Sequence, residues 1–376
     1  MKVALVHDYL IRFGGAERVF FSLRKIFKKA DVFTLLYDSK KMGHCFNDGV
    51  KLQSSFLQSF PKVFRKRHKY LLPFLPMAAE NFDFRDYDLV ISSSSSFGKG
   101  IITRPQAIHI CYCHSPMRFS WDTYSSYLTH QKKGKLTNAF IRIIMHYIRI
   151  WDRSASKRVD YFLANSQITA NRIRKYYKRD AFVIYPPVSM PEIKTDIEKF
   201  RKEAKKGFYY LIVSQLTPYK RIDLAVEAFN KMGLPLMIIG EGPDKKRLKK
   251  MADSNIQFLG WQPDEEVDRY YRNCLAFIFS GEDDFGIAPV EAMSYGKPVL
   301  AYRKGGATET IVEGQTGEFF DYPAAEVLAD GIRRLKLNYH KYDPVVIRRQ
   351  AEKFSPQNFE KEIKKFVIKK VEENRS

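Results

Sequence analysis

The chain has 376 residues, 45% hydrophobic and 28% charged, with a formal net charge of +22. That length is too great for one ordinary core and suits two domains, and the composition excludes a disordered or collagen-like chain. Residues 1–188 hold 32 Lys and Arg against 13 Asp and Glu, whereas residues 189–376 hold 32 against 29, so the first half is expected to face a polyanion such as nucleic acid, anionic lipid or a phosphorylated substrate, unless its charge serves solubility alone.

MKVALVHDYL opens with VALV (3–6), an apolar run too short for a secretory leader and met at once by His7 and Asp8. It reads as a first strand. Gly14-Gly15 and a helical pattern from Ala16 to Phe27 follow. A Gly pair between strand and helix is either a plain turn or a place where backbone N–H groups meet an anion. The fingerprint G-x-G-x-x-G is absent, so nicotinamide binding is not supported. VFTLL, DLVISS and IHICYC read as further strands.

Between them, RKRHKYLLPFLPM (65–77) sets a basic cluster beside Tyr70, Leu71, Leu72, Phe74 and Leu75, a composition suited to an anionic membrane interface. The four cysteines form no disulfide framework; Cys111 and Cys113 alternate on a strand and read as buried thiols, not as zinc ligands with His114. His114 closes IHICYCH before Ser115-Pro116. It is expected at the carboxyl edge of the first sheet, as a structural histidine or as a polar, proton-relaying group. KLTNAFIRIIMHYIRIWDR (135–153) is helical, with Arg142, His146, Arg149 and Arg153 on one stripe and Phe140, Ile143, Ile144, Tyr147, Ile148 and Trp151 on an apolar face. It is read as an ordinary helix buried on its sheet in preference to an interfacial one. YFLA, the helix SQITANRIRKYY and the strand AFVIY complete this half. No window reaches the ~18 uncharged apolar residues of a membrane span, so the protein is expected in the cytoplasm, at most resting on a membrane.

YPPVSMPEIK (185–194), with three prolines, is the expected connector. The second half alternates again: FYYLIVS, RIDLAVEAFNKM, LPLMIIG, KKRLKKMA, IQFLG, EEVDRYYRN, LAFIFS, a helix after Gly286, PVLAY and TGEFF. Continuous apolar strands alternating with helices predict parallel sheets covered on both faces, an α/β doubly wound architecture. After Phe320 only helices are expected, the last opening at Ser355-Pro356 with Phe359, Ile363, Phe366, Val367 and Val371 as its apolar stripe.

Two stretches of this half carry chemistry. In VSQLTPYKRIDLAVEAF (213–229), Lys220 and Arg221 stand at a helix start, where a cation opposes the helix dipole. They are either a solvated pair or the partners of an anionic ligand. In LAFIFSGEDDFGIAPVEAMSY, a strand ends, an acidic loop follows, and Gly286 opens a helix whose first N–H groups suit a phosphate. Asp283 and Asp284 are candidate caps, and Asp284 is read as one. Glu291 lies too far into the helix for that role. Asp283 and Glu291 bracketing a phosphate site fit a sugar nucleotide, one carboxylate on a ribose and one on hexose hydroxyls.

GGAERV, SQLTPYKRIDLAVEAF, IIGEGP and GEDDFGIAPVEAMSYGKPVLAY, in that order, resemble the GT-B glycosyltransferases of family 4. HICYCHSPMRFSWD and VDYFLANSQITANRI resemble its mannosyltransferase-type branch, which builds bacterial surface polysaccharides such as lipopolysaccharide. The likeness runs over essentially the whole chain. It implies two Rossmann-like domains facing a cleft: an acceptor domain over residues 1–188, a nucleotide-sugar domain over 189–354, and a C-terminal helix over 355–376 packing back on the first. It implies a hexosyltransferase that retains anomeric configuration, with a nucleotide sugar (GDP-mannose by resemblance) as donor and no metal or cofactor. By position, Glu291 would hold the ribose and Lys220 the diphosphate. Asp283 and the backbone of Phe285, Gly286, Ile287 and Ala288 would meet the sugar, Gly15 would approach the phosphate, and His114 would line the reaction centre. The chain departs from the family twice: Asp283 stands for the first glutamate of a paired signature, and Gln215 for an arginine, leaving Lys220 to work alone or with Arg221. The acceptor expected is a lipid-linked or polysaccharide glycan at the inner face of the plasma membrane, and a lipid-linked one would account for the basic half and its aromatics. A nucleic-acid-binding protein is the competing reading, though no recognition-helix or RNA-module signature is present; a GT-B synthase acting on a soluble sugar phosphate is another.

Overall fold

Runs of β-branched and aromatic residues with no polar alternation build strands that must be covered on both faces, and each half of the chain forms one all-parallel sheet. A computed structural model describes residues 1–46, 49–66, 68–122, 135–193 and 195–374. It divides into two units, Met1–Tyr185 with Glu360–Ser376, and Pro186–Phe359. The chain passes between them within the proline-rich stretch that begins at Tyr185.

Among the described residues the first unit carries seven strands: β1 (Val3–Leu10), β2 (Asp31–Tyr37), β3 (Leu52–Ser54), β4 (Leu89–Ser94), β5 (Ile108–Cys113), β6 (Tyr161–Ala164) and β7 (Ala181–Val183). Their spatial order is β3-β2-β1-β4-β5-β6-β7. The winding direction reverses between β1 and β4, which makes that pair the switch point, the place in an open α/β sheet where loops diverge and ligands bind. Every residue of β4 and β5 is buried. The parallel register sets His7 against Ser93. The short β3 was not expected: Leu-Gln-Ser has neither β-branched residues nor length to announce a strand.

The core of this unit gathers Val6, Phe33, Leu36, Leu75, Phe84, Phe97, Ile148 and Trp151. The helix Lys135–Ser156 corrects the sequence reading. Met145, Ile148, Trp151 and Ala155 are buried, but Phe140, Ile143, Tyr147 and Ile150 are 50–68% exposed. The helix therefore has apolar residues on two faces, and only one is covered. In the 65–77 stretch, Leu71 and Leu75 point into the core, while Tyr70, Phe74 and Met77 are exposed. Arg67 and the side chains of 66–69, part of the basic cluster, lie outside the described residues. Cys111 and Cys113 pack with Phe162, Ile173 and Tyr177 as small hydrophobes.

The second unit carries six strands: β8 (Tyr209–Val213), β9 (Leu236–Ile239), β10 (Ile256–Gly260), β11 (Cys274–Phe279), β12 (Val299–Tyr302) and β13 (Gly317–Phe320). Their order is β10-β9-β8-β11-β12-β13, so the switch point falls between β8 and β11. After β13 the described residues form helices, Ala325–Leu337, Pro344–Glu352 and Pro356–Glu373, with a short 3-10 turn at Tyr339–Lys341. Ser355 Oγ accepts from the Asn358 N–H at 3.4 Å at the start of the last. From Glu360 onward this helix belongs to the first unit, where Phe366 meets Tyr161 and Phe182 at ring distances of 6.1 and 5.0 Å. Among the described residues no helix is long and apolar enough to cross a membrane.

Candidate functional site

In the second unit the loops that leave β8 and β11 meet at the switch point. The chain leaves β8 through Ser214 and Gln215, turns through Pro218–Lys220, and places Arg221 at φ 51° before the helix Ile222–Met232. The loop after β11 lies directly on this turn: Ser280 Oγ donates to the Lys220 carbonyl at 3.1 Å. A Cβ on Gly281 would stand 2.8 Å from Lys220 Cα and from its carbonyl oxygen, so only glycine allows the two loops to close on each other. Lys220 Nζ then donates to Asp283, the two side chains being 13% and 22% exposed. The ammonium also lies over the rings of Tyr219 and Phe279, 5.4 and 5.9 Å from their centroids. Two residues expected to serve different parts of one ligand are thus an ion pair with each other.

The helix Ile287–Ser294 begins immediately beyond. Its capping position is Gly286, at φ 85°, not Asp283 or Asp284 as the sequence suggested. The left-handed conformation there admits glycine at no steric cost, and the Asp283 carboxylate is engaged by Lys220 instead. Pro289 has no N–H to offer, which leaves the amides of Ile287 and Ala288 as the first-turn donors. Phe285 is buried, edge-on to Phe354 at 5.5 Å, so it anchors the loop by its side chain. A third loop supports this backbone: the Gly306 N–H donates to the Asp283 carbonyl at 2.9 Å, and a Cβ on Gly306 would lie 2.3 Å from Phe285 Cα. Glu291, half-buried on the same helix, accepts from the Tyr271 hydroxyl at 3.1 Å, and Tyr271 stacks on Tyr295 with centroids 5.4 Å apart. Gln215 is exposed, its carbonyl accepting from the Thr217 N–H at 2.9 Å. Arg221 pairs with Asp223 at 3.3 Å.

The first unit brings a second group of polar residues to its own switch point. Gly15 is exposed and opens the helix Gly15–Ile26. Glu17, in the first turn, lies with Oε1 3.6 Å from His7 Nε2. His7 Nδ1 lies 3.0 Å from the Ser93 carbonyl and 3.1 Å from Ser93 Oγ, and Ser93 Oγ lies 2.8 Å from His114 Nε2. Asp8 pins the serine-rich loop after β4, accepting from Ser94 Oγ at 2.9 Å and from the N–H groups of Ser95, Ser96 and Gly98 at 2.6–2.9 Å. Burial alone would raise the Asp8 carboxyl; His7 and these donors outweigh it and hold it below the usual carboxylate range. Burial, reinforced by His7, pushes the His114 ring down to about 4, leaving it neutral near pH 7.

Of the residues expected from sequence, Lys220, Asp283, Phe285, Gly286, Ile287, Ala288 and Glu291 come together in the second unit, while Gln215 and Arg221 stand on the same loop as Lys220, Gln215 exposed and Arg221 paired with Asp223. Gly15 and His114 stand at the carboxyl edge of the first sheet. Sequence reasoning missed Tyr271, Gly281, Gly306, His7, Glu17 and Ser93. A second Gly-Gly at 305–306, just before a helical turn, and a His-Asp doublet in the first strand were the available signals.

Two family models cover most of the chain: "Glycosyltransferase Family 4" matches residues 13–190 and "Glycosyl transferases group 1" matches 193–354. An uncharacterized glycosyltransferase of Methanocaldococcus jannaschii is 28% identical over 174 residues, 45% of this chain and 47% of that protein. The alpha-1,3/1,6-mannosyltransferase alg2 of Schizosaccharomyces pombe is 24% identical over 378 residues, 84% of this chain and 70% of that protein. The chain thus spans about half the length of the first relative and seven-tenths of the second. Among solved structures, Anabaena HepE in complex with UDP and glucose matches with a TM-score of 0.69 at 18% identity, covering 98% of this chain and 99% of that one. Two Rossmann-like parallel-sheet units with this likeness make the fold GT-B, and the chain belongs to glycosyltransferase family 4.

Proposed function

We propose that the protein is a retaining glycosyltransferase that moves a hexose, mannose in the first instance, from a nucleotide sugar to a glycan acceptor carried on a lipid. The observation that carries this reading is the Lys220–Asp283 pair at the β8/β11 switch point, beside a glycine-capped helix start and one turn from Glu291. In this account the diphosphate lies on the amides of Ile287 and Ala288, where the helix dipole favours negative charge. Lys220 shifts from Asp283 toward the phosphates and stabilises the charge that develops on the leaving diphosphate. Asp283 meets the sugar hydroxyls, and Glu291, held by Tyr271, takes the ribose. A departing diphosphate that helps to deprotonate the acceptor on the same face retains configuration. The leaving-group charge is met by a lysine and backbone amides, so the reading assigns no metal to the reaction. The alg2 relative's activity supports mannose, and HepE's complex with UDP and glucose supports nucleotide-sugar binding on this fold.

The first unit supports the lipid side of the reading. The exposed residues Phe140, Ile143, Tyr147 and Ile150 recur at helical spacing and are flanked by exposed Arg142, His146 and Arg153. That pattern suits the interface of an anionic membrane, with apolar side chains below the headgroups and cations among them. The protein would then rest on the inner face of the plasma membrane. Transfer of radiolabelled sugar from GDP-mannose and from UDP-sugars to membrane lipid extracts is the test. Label in a lipid-linked product is the expected result, and neither transfer nor donor hydrolysis with any nucleotide sugar would overturn the reading. Full activity on soluble sugar phosphates without lipid would replace the acceptor.

A further inference from the structure

The polar residues at the switch point of the first unit form a connected chain, Glu17 to His7 to Ser93 to His114, whose chemistry fixes the direction of each hydrogen bond. The Ser93 carbonyl can only accept, so His7 Nδ1, 3.0 Å away, must carry a proton. Ser93 Oγ lies 3.1 Å from the same N–H and can only accept there as well. Ser93 is fully buried, and among the described residues the other contact of its Oγ is the 2.8 Å one to His114 Nε2, so its own hydrogen is satisfied when Nε2 offers a lone pair. Glu17 lies at ion-pair distance on the far side of His7, and its carboxyl, which burial would raise, is held below its ordinary range chiefly by His7. The parallel register that sets His7 opposite Ser93 makes this arrangement a property of the β1/β4 pairing, not of a mobile surface.

We propose that Glu17, His7 and Ser93 are positioning residues that fix the ring of His114 with Nε2 as acceptor and Nδ1–H as donor. Among the described residues no partner meets His114 Nδ1, so that N–H is the one group of the ring left for a ligand. On the transferase reading above, on which the substrate part of this inference rests, it donates to a hydroxyl or phosphate oxygen of a substrate and does not act as the base. The chain holds its direction: an imidazole with two ways to tautomerise is locked into one by a buried hydroxyl whose hydrogen has that ring nitrogen as its acceptor.

The test reads the ring directly. In protein labelled with nitrogen-15 at histidine, long-range proton–nitrogen correlation spectra at pH 7 distinguish the two neutral tautomers, with His114→Asn identifying the resonance. The Nδ1–H form is expected in the unaltered protein, with Nε2–H growing in when Ser93→Ala removes the hydroxyl, and to a smaller degree with Glu17→Gln. Ser93→Ala should also lower kcat by about tenfold while leaving the donor KM within about twofold. A dominant Nε2–H form in the unaltered protein overturns the proposal, whether or not either variant folds. So does a tautomer unmoved by Ser93→Ala. Absence of transfer from every donor would sink the enzymatic reading while leaving the tautomer result to stand or fall by itself.

Discussion

Removing the Lys220 ammonium should do more than delete one phosphate contact. The Lys220–Asp283 pair is largely shielded from water, with side chains 13% and 22% exposed, so Lys220→Ala also strips the neutralising partner from a carboxylate beside the proposed diphosphate site. A charge-assisted hydrogen bond contributes about 1.5–3 kcal/mol, and truncating one member of a buried pair costs about 2–5 kcal/mol, much of it from the charge left behind. At ~1.4 kcal/mol per tenfold, the ~2–5 kcal/mol of the truncated pair means that GDP binding should weaken by about 30- to 4,000-fold. Asp283→Asn frees the lysine, so that variant should bind GDP as tightly as the unaltered protein or more tightly. It should nevertheless lose about tenfold or more in turnover of GDP-mannose, because its carboxylate serves the sugar. The double variant should recover part of what Lys220→Ala loses, a non-additivity expected of groups in contact. Titration calorimetry with GDP and with GDP-mannose, paralleled by UDP and UDP-glucose, measures all four corners of the cycle. If Asp283→Asn weakens GDP as much as Lys220→Ala does, the carboxylate holds the nucleotide itself and the division of labour argued here is wrong.

Glu291→Gln should weaken GDP about 10- to 100-fold through the ribose, and Tyr271→Phe should cost less because it only orients that carboxylate; equal losses in calorimetry would make Tyr271 a direct ligand. Gly286→Ala meets ordinary contacts with Phe279 and Pro289, at 3.5 and 3.6 Å, so its penalty is the φ of 85° alone; about 1–2 kcal/mol and a Tm fall of about 2–8 °C are expected by calorimetry, and an unchanged Tm would refute the strain. His109 and His114 give an acid-sensitive fold. Burial pushes both down, to about 3 and about 4, whereas the unfolded chain takes up protons near pH ~6.5. Stability should be complete above about pH 6.5 and fall as pH drops toward 4, because the unfolded chain then binds more protons. Denaturant melts at pH 7 and pH 5 would show this, and His109→Gln should flatten the dependence. Ile143→Asp with Tyr147→Asp should abolish flotation with phosphatidylglycerol vesicles while leaving the Tm of the nucleotide complex within about 2 °C, and retained flotation would remove that face from the membrane reading.

Of the thirteen strands among the described residues, twelve were legible as apolar runs, because buried parallel strands need no polar alternation to be recognised. The exception, β3, is three residues long and borrows its conformation from pairing with β2. The helix Lys135–Ser156 was misread for a related reason. Apolar residues cover more than half of its circumference, and periodicity alone does not say which arc meets the sheet. At the candidate site, Lys220, Asp283 and Gly286 were visible because each sits on a strand–loop–helix junction, and Glu291 because a carboxylate inside that helix has no capping role. Their pairing was not: Lys220 and Asp283 are 63 residues apart, and what joins them is the contact at Gly281, a residue whose importance is the absence of a side chain. His7 and Ser93, 86 residues apart, meet only through strand register.

The proposed function requires a diphosphate at the β8/β11 switch point. A crystal structure of the protein with GDP tests this most directly. The diphosphate is predicted within hydrogen-bonding distance of Lys220 Nζ and of the amides of Ile287 and Ala288, with Glu291 on the ribose. A nucleotide bound away from the β8/β11 switch point, with Lys220 and Asp283 still closed on each other, would contradict it.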